Sequence, residues 1–206
     1  MDRFKMEKKL WEEGYRRVMG LDEAGRGCLS GPVVAAGVIF EPGSGPGLEE
    51  LRDSKTLELS DRERLAELVK ERAAWWSVQQ CSPGEIDELN ILHASLRAMV
   101  RCTEQEGGEP DYLLVDGNRF PDGLLPRRCV VGGDDRSASI AAASILAKVH
   151  RDRLMKKLHE TYPHYGWKTN VGYPTREHYR GLAEHGITPH HRRTFRLRTE
   201  KIYRED

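Results

Sequence analysis

The chain has 206 residues, 38% hydrophobic and 32% charged, the composition of an ordinary globular protein rather than a disordered or fibrous one. Lys+Arg and Asp+Glu are equal at 33 each, so a polybasic nucleic-acid coat is excluded, though a local basic face is not. No apolar run approaches the ~20 residues of a membrane span, and no apolar signal core follows the charged opening Met1-Asp-Arg-Phe-Lys5. The expected location is the cytoplasm. Cys28, Cys81, Cys102 and Cys129 make no C-x-x-C pair, so they suggest small buried residues rather than a zinc site or a disulfide framework.

In chain order, residues 2–14 suggest a short charged helix. Arg17 to Asp22 reads as a strand ending at the acidic pair Asp22-Glu23, and the turn Gly25-Arg26-Gly27 follows. The apolar run Val33 to Phe40 is long enough for a buried strand, antiparallel to the first. Ser60-Asp-Arg-Glu63 is a capping box, and the helix behind it runs to about Ala73. Trp75 to Gln79 is a third strand. Residues 84–106 are expected to be helical, with Ile86, Leu89, Ile91, Leu92, Leu96 and Met99 as an apolar stripe. Tyr112 to Asp116 and Cys129 to Val131 are further strands. Helices are expected from Ser139 to about His159 and from Thr175 to before Gly186. The order predicts an α/β domain with a mixed sheet and a basic helical C-terminal extension.

Residues 1–147 carry 19 basic and 26 acidic side chains, whereas residues 148–206 carry 14 and 7, so an acidic body precedes a basic end. Lys148, Arg151, Arg153, Lys156, Lys157 and His190-His-Arg-Arg193 concentrate that charge. Three acidic sites stand where strands end and glycines begin: Asp22-Glu23, Asp116, and the doublet Asp134-Asp135. Ligands bind at strand C-termini in open α/β sheets. If the first strand and Tyr112–Val115 are parallel neighbours, Asp22 and Asp116 leave the same edge. Carboxylates that close need cations, and a hard divalent ion such as Mg²⁺ or Mn²⁺ suits oxygen ligands. Adjacent strand residues point to opposite faces, so Glu23 is expected to join Asp22 only if the strand breaks there. Glycines at Gly25 and Gly27 would let backbone N–H groups approach a ligand, and Arg26 could fork onto a phosphate. A carboxylate metal site, a phosphate-friendly loop and a basic face together point to phosphodiester chemistry on nucleic acid.

With these motifs in place, the sequence resembles the ribonuclease HII family, in its bacterial form. The resemblance runs through Gly20-Leu-Asp22-Glu23-Ala-Gly25-Arg26-Gly27, Gly31-Pro-Val-Val, Asp53-Ser-Lys55, Glu85-Ile-Asp-Glu-Leu-Asn90, Val115-Asp116-Gly-Asn118, Gly133-Asp134, Ile140 to Asp152, Gly172-Tyr173-Pro-Thr175 and His191 to Phe195. Cys28 departs from it, standing where the family usually has Pro, and the segment after Lys55 is longer than usual. The resemblance implies a ribonuclease H-like mixed sheet over residues 1–160, with residues 161–206 as a substrate-binding extension of the same compact unit. It implies an endonuclease that hydrolyses the RNA strand of RNA–DNA hybrids and nicks 5′ of single ribonucleotides in duplex DNA. Two divalent ions, Mg²⁺ or Mn²⁺, would give 3′-hydroxyl and 5′-phosphate ends and serve ribonucleotide removal.

By motif, the metal ligands are Asp22, Glu23, Asp116 and Asp134. Asp134 is preferred to Asp135 because it stands six residues before Ile140. Gly25, Arg26 and Gly27 would sense the 2′-OH, Lys55 and Lys148 would hold phosphates, and Ser144 would contact the backbone or simply pack its helix. Tyr173 could anchor a helix from the core; the resemblance implies instead that its ring packs on the deoxyribose 3′ of the ribonucleotide. A monomer is expected. The rivals are a DNA exonuclease, separated by dependence on a ribose, and a non-catalytic duplex-binding module, which the presence of all four acids disfavours.

Overall fold

The structure is a computed structural model in which residues 2–45, 47–48, 50–51, 59–121 and 125–197 are described. The elements in order are α1 (Lys5–Glu12), β1 (Val18–Ala24), β2 (Val33–Ile39), α2 (Leu59–Arg72), β3 (Trp75–Cys81), α3 (Pro83–Thr103), β4 (Tyr112–Asp116), β5 (Arg127–Val130), α4 (Ala138–Thr161), α5 (Trp167–Asn170) and α6 (Arg176–His185). The strands form one sheet in the order β3-β2-β1-β4-β5. β1–β2 and β2–β3 are antiparallel, while β1–β4 and β4–β5 are parallel. This is the expected mixed α/β sheet. All seven residues of β2 are buried, as befits a strand covered on both faces.

Alternation along β1 and β2 divides the core. Met19, Leu21, Val33 and Ala35 face α3, with Ala94, Ala98 and Cys102. Val18, Val34, Ala36 and Val38 face α4, with Ile140, Ala143 and Ala147. The small residues Ala141-Ala-Ala143 let α4 lie close to the sheet, and Gly20 takes this to its limit. A Cβ on Gly20 would stand 2.2 Å from the Ser139 carbonyl carbon and 2.4 Å from the Ile140 nitrogen. A third apolar cluster joins Leu29 and Met155 to Tyr165, Trp167, Val171 and Leu182. The chain after α4 therefore shares its core with α4 and with the segment following Gly27.

Two details differ from the sequence expectation. The apolar stripe of α3 is interrupted at Asn90, which has φ 64° and ψ 165° inside the helical span. Its Oδ1 accepts from the N–H groups of Leu92 (3.0 Å) and His93 (3.2 Å), so it caps a second helical segment. The break leaves Leu89 41% exposed rather than in the core. The start of α4 is also doubly capped. Ser137 accepts from the Ile140 N–H, and the buried Glu7 of α1 accepts from the Ser137 hydroxyl (2.6 Å), the Ser139 N–H (2.9 Å) and the Ser139 hydroxyl (2.6 Å). An acid at a helix N-terminus meets unpaired N–H groups and the positive end of the dipole.

Gly20→Ala is expected to force α4 off β1. Overpacking against helix backbone costs about 1–3 kcal/mol or more, and each kcal/mol lowers the melting temperature by about 2–4 °C at this size. Thermal melts check this; an unchanged melting temperature would mean the two elements can separate freely.

Candidate active site

The carboxylates are brought together by strand pairing. β1 and β4 run parallel with Leu21 opposite Val115, so Asp22 and Asp116 follow as the next residue on each strand. Both stand at C-terminal ends, on the side of the sheet that α4 covers. Asp134 lies in the 3₁₀ turn Gly133–Asp135 that leads into α4. This turn is fixed to β4 because the Gly133 N–H donates to Asp116 Oδ1 at 2.7 Å. From the other side, Arg3 Nη1 donates to the Asp134 carbonyl at 2.5 Å. Asp134 is buried, while the side chain of Asp135 is 63% exposed and 4.0 Å from Arg3.

Glu23 corrects an expectation. The strand does not break at the acidic pair; Glu23 pairs with Ala35, and Ala24 with Val34. Glu23 nevertheless feels the charge of Asp116, because β4 ends at Asp116 and leaves the sheet edge open beside it. The two acids line one cleft of about 290 Å³ with Leu92, Ser95, Leu96 and Asn118. Leu92 and Leu96, expected as core stripe residues, are thus part of its wall.

The electrostatics record crowding. Burial raises the Asp22 pKa well above the usual carboxylate range, and the charges of Glu23 and Asp116 push it the same way; the Ser144 hydroxyl, hydrogen-bonded to Asp22, opposes them. Burial also raises the Glu23 pKa, opposed by Arg26, whose Nη1 donates to Oε1 at 3.0 Å. Among the described residues, no three His, Cys, Asp or Glu side chains are gathered tightly enough to hold an ion as they stand. Asp22 accepts from the Glu23 N–H at 2.7 Å and Glu23 turns to Arg26, a local arrangement that relieves like-charge repulsion. The donor set is entirely carboxylate oxygen, which suits Mg²⁺ or Mn²⁺.

A second cleft of about 370 Å³ shares Glu23 and Arg26 with the first and adds Gly25, Gly27, Ser144, Lys148 and Tyr173. Six of the seven expected substrate-binding residues therefore meet in one place. The seventh, Lys55, lies outside the described residues. The nearest atom to a Cβ built on Gly27 is Tyr173 Cε1, at 3.9 Å. The Tyr173 ring is 42% exposed; Lys148 Nζ lies 5.9 Å from its centroid, and its hydroxyl hydrogen-bonds to the buried Cys28 thiol. Lys148 itself is held by Asp152 at 2.7 Å. Arg62, on α2, also lines the cleft and was not apparent from the sequence.

Part of the basic C-terminal charge is not on the surface. Arg151 and Arg192 are among the most buried side chains of the protein. Arg151 donates to the carbonyls of Ser30 (3.0 Å), Pro32 (3.1 Å) and Val171 (2.8 Å). Arg192 donates to those of Gly25 (2.7 Å), Arg26 (2.9 Å) and Gly31 (3.0 Å). They saturate the carbonyls of the glycine-rich loop instead of meeting phosphate. Gly25, at φ 95°, is required here: its Cβ would fall 2.0 Å from Arg151 Nε.

Similarity to known proteins gives the family. The family model described as Ribonuclease HII matches residues 19–199. The chain belongs to the ribonuclease HII family. It is 51% identical over 195 residues to the ribonuclease HII of Salinibacter ruber, covering 93% of this chain and 96% of that one. It is 49% identical to the ribonuclease HII of Ruegeria pomeroyi, covering 98% and 86%. Among solved structures, ribonuclease H2 from Pyrococcus horikoshii OT3 superposes with a TM-score of 0.78 at 27% identity, over 87% of this chain and 94% of that one. Bst-RNase HIII, solved in complex with Mn²⁺, shares the fold with a TM-score of 0.70 at 17% identity, over 92% and 71%. A ribonuclease HII is a metal-dependent endonuclease, and the family activity is cleavage of RNA in RNA–DNA hybrids. No helix among the described residues is long and apolar enough to cross a membrane.

The raised pKa of Asp22 gives a signed prediction. Below about pH 3 the folded and unfolded states both hold its proton, and Asp22 costs nothing. Above the usual carboxylate range the unfolded chain ionises it freely while the fold resists, so stability is lost as pH rises. In EDTA, Asp22→Asn should melt higher than the parent at pH 8 and equally at pH 3, each kcal/mol released appearing as about 2–4 °C. A pH-independent difference would assign the effect to packing.

Proposed function

We propose that this ribonuclease HII nicks duplex DNA 5′ of single embedded ribonucleotides as well as cutting RNA in RNA–DNA hybrids, leaving 3′-hydroxyl and 5′-phosphate ends. The observation that supports the reading is the mutual electrostatic contact of Asp22, Glu23 and Asp116 at one sheet edge, with the turn that carries Asp134 bonded to Asp116 through the Gly133 N–H. The cleft of Gly25, Gly27, Lys148 and Tyr173 opens directly alongside. Two divalent ions, Mg²⁺ or Mn²⁺, when bound, would supply a hydroxide nucleophile and stabilise the leaving oxygen.

The protein's own groups then have separable tasks. Asp22, Glu23, Asp116 and Asp134 would hold the ions. Ser144 holds the Asp22 carboxylate in place by its hydrogen bond. Arg26 is exposed enough to leave Glu23 and meet a phosphate, and Lys148 stands on the same wall. Backbone groups of Gly25–Gly27 would meet the 2′-OH, the group that distinguishes RNA from DNA. Tyr173 would stack on the next sugar, where a second 2′-OH would crowd it. The reading extends to removal of misincorporated ribonucleotides by a monomeric enzyme.

Asp22→Asn, Glu23→Gln, Asp116→Asn and Asp134→Asn should each nearly abolish nicking. Loss of even ~4 kcal/mol of transition-state stabilisation is about a thousandfold. Asp135→Asn should be mild, since its side chain is exposed. An inactive Asp135→Asn beside an active Asp134→Asn would reverse the assignment of the doublet.

Tyr173→Phe should keep most activity on a single embedded ribonucleotide. Tyr173→Ala should lose about five- to a hundredfold there, the range of ~1–3 kcal/mol for stacking on an aromatic, and much less on a continuous hybrid. Equal losses on both substrates in kcat/KM, with a lowered melting temperature, would make the ring a packing residue.

A further inference from the structure

Two histidines lie buried behind Tyr173, outside the chemistry assigned above. His178 is in the first turn of α6 and His191 is near the C-terminal end of the described chain; they are 0% and 1% exposed. A chain of hydrogen bonds joins them, and it has one self-consistent proton arrangement. The Thr188 N–H donates to His191 Nδ1 at 3.0 Å, so that nitrogen carries no proton. His191 Nε2 therefore bears the hydrogen, and it lies 3.0 Å from His178 Nε2. His178 Nε2 also receives the Trp167 indole N–H, a pure donor, at 3.2 Å, so it is an acceptor. His178 Nδ1 is left with the proton and donates to the Tyr173 carbonyl at 2.9 Å. Burial lowers the pKa of both rings, that of His191 to about 4, so the neutral pair persists across the ordinary working range.

One end of this chain anchors the trailing end of the glycine-rich loop, and the other reaches Tyr173, which lines the cleft. At one end His191 bridges to Ser30, while the neighbouring His190 carbonyl accepts from the Gly31 N–H at 2.8 Å. That is the trailing side of the glycine-rich loop. At the other end is the Tyr173 backbone, whose carbonyl also takes the Thr175 N–H at 2.8 Å. The Gly172 carbonyl meanwhile accepts from the Leu29 N–H at 2.8 Å, tying the tyrosine loop to the glycine-rich loop directly. The Tyr173 ring itself is half in solvent, so its direction depends on its backbone together with the bond of its hydroxyl to Cys28.

We propose that His191 and His178 form a positioning relay that fixes the Tyr173 backbone relative to the Gly25–Gly27 loop, and with it the fit of the ring on the sugar beside a ribonucleotide. The substrate part of this rests on the role proposed above for Tyr173. His178 donates the bond that reaches the tyrosine; His191 and the Trp167 indole N–H together set the tautomer that leaves His178 Nδ1 protonated. Neither ring touches the substrate.

The test uses three readouts. Imidazole ¹⁵N shifts of the unmodified protein at neutral pH should show an Nδ1–H tautomer for His178 and an Nε2–H tautomer for His191; the reverse pair overturns the relay. This reading does not depend on any variant folding. Next, His178→Asn retains a donor near the Nδ1 position, and His178→Leu retains none. The Tyr173 resonances should shift in His178→Leu and stay close to native in His178→Asn. Unmoved Tyr173 resonances in His178→Leu overturn the relay whatever the activity does. Finally, His178→Leu should cut kcat/KM on a single embedded ribonucleotide about tenfold, the scale of a lost buried hydrogen bond, and less on a continuous hybrid. His178→Asn should recover most of that loss, and His178→Leu should add nothing in a Tyr173→Ala background. Equal losses on both substrates without rescue by Asn would reduce the pair to core packing. Should the Tyr173 resonances move as expected while Tyr173→Ala leaves substrate preference unchanged, the relay stands and the sugar-stacking role of Tyr173 falls.

Discussion

Helix α4 lies on β1 with no side chain between them at Gly20, and the placement of the chemical groups depends on that contact. With the two backbones this close, the face of β1 that carries Gly20 also carries Asp22, one step nearer the sheet edge. The start of α4 is then at the level of the β1 and β4 ends, which puts the Gly133–Asp135 turn beside Asp116. One helical turn further, Ser144 reaches Asp22, and at the next Lys148 reaches the Tyr173 cleft. A bulkier residue at position 20 would change all of these spacings together. The α4 N-terminus is accordingly clamped from outside: Glu7 accepts the Ser139 N–H and the Ser137 and Ser139 hydroxyls, and Arg3 holds the Asp134 carbonyl. Helix α1 thus acts as a brace for one of the carboxylates.

The glycine-rich loop poses the opposite problem, since it has little side-chain material with which to hold itself. Residues 25–32 run between β1 and β2 mostly without ladder bonds, and buried carbonyls left unpaired cost free energy. Two guanidiniums solve this. Six carbonyls, five in or beside the loop and one at Val171, receive N–H groups from Arg151 and Arg192. Both cations are desolvated, and burial lowers the Arg192 pKa to about 10, with the Arg151 charge adding to the shift. Such an arrangement holds only while the carbonyls stay in place, because a buried charge that loses its partners is costly. Loop and guanidiniums therefore order each other.

The sequence made the scaffold legible where a local pattern decides the structure. Tyr112–Asp116 is a short apolar run stopped by Gly117, and it is a strand with those ends. Thr175 and Gly186 punctuate α6 as an N-cap and a C-terminal glycine do. The acidic positions were visible because strand ends beside glycine are where a sheet presents ligands. The features that escaped were decided by partners far away in the chain. Glu7 reads as one more charge in a Lys-rich helix; only a partner 130 residues on makes it a cap. Arg151 and Arg192 read as surface charge because their acceptors are carbonyls, which every residue possesses and no pattern advertises. At Asn90 a local signal did exist, an asparagine that tolerates positive φ and caps the next helical turn, but the apolar stripe continuing through it suggested one unbroken helix.

These features divide the site into parts of different stiffness. Asp22 and Asp116 sit on strands, and Asp134 on a turn clamped from two directions. Glu23 is placed by the strand but held at its carboxylate by Arg26, a half-exposed side chain free to exchange partners. The burial that raises the pKa of Asp22 and Glu23, and the like charges that add to it, are therefore imposed by the backbone. The remaining freedom lies in side-chain rotation and in the Arg26–Glu23 bond. Under the proposed reading, a cation held at this edge would relieve the mutual repulsion of Asp22, Glu23 and Asp116. Arg26, bonded to Glu23 and lining the glycine-loop cleft, would then be free to meet a phosphate there. In that reading, charge repulsion at a rigid sheet edge would couple metal binding to the readiness of the neighbouring arginine through side-chain rotation alone.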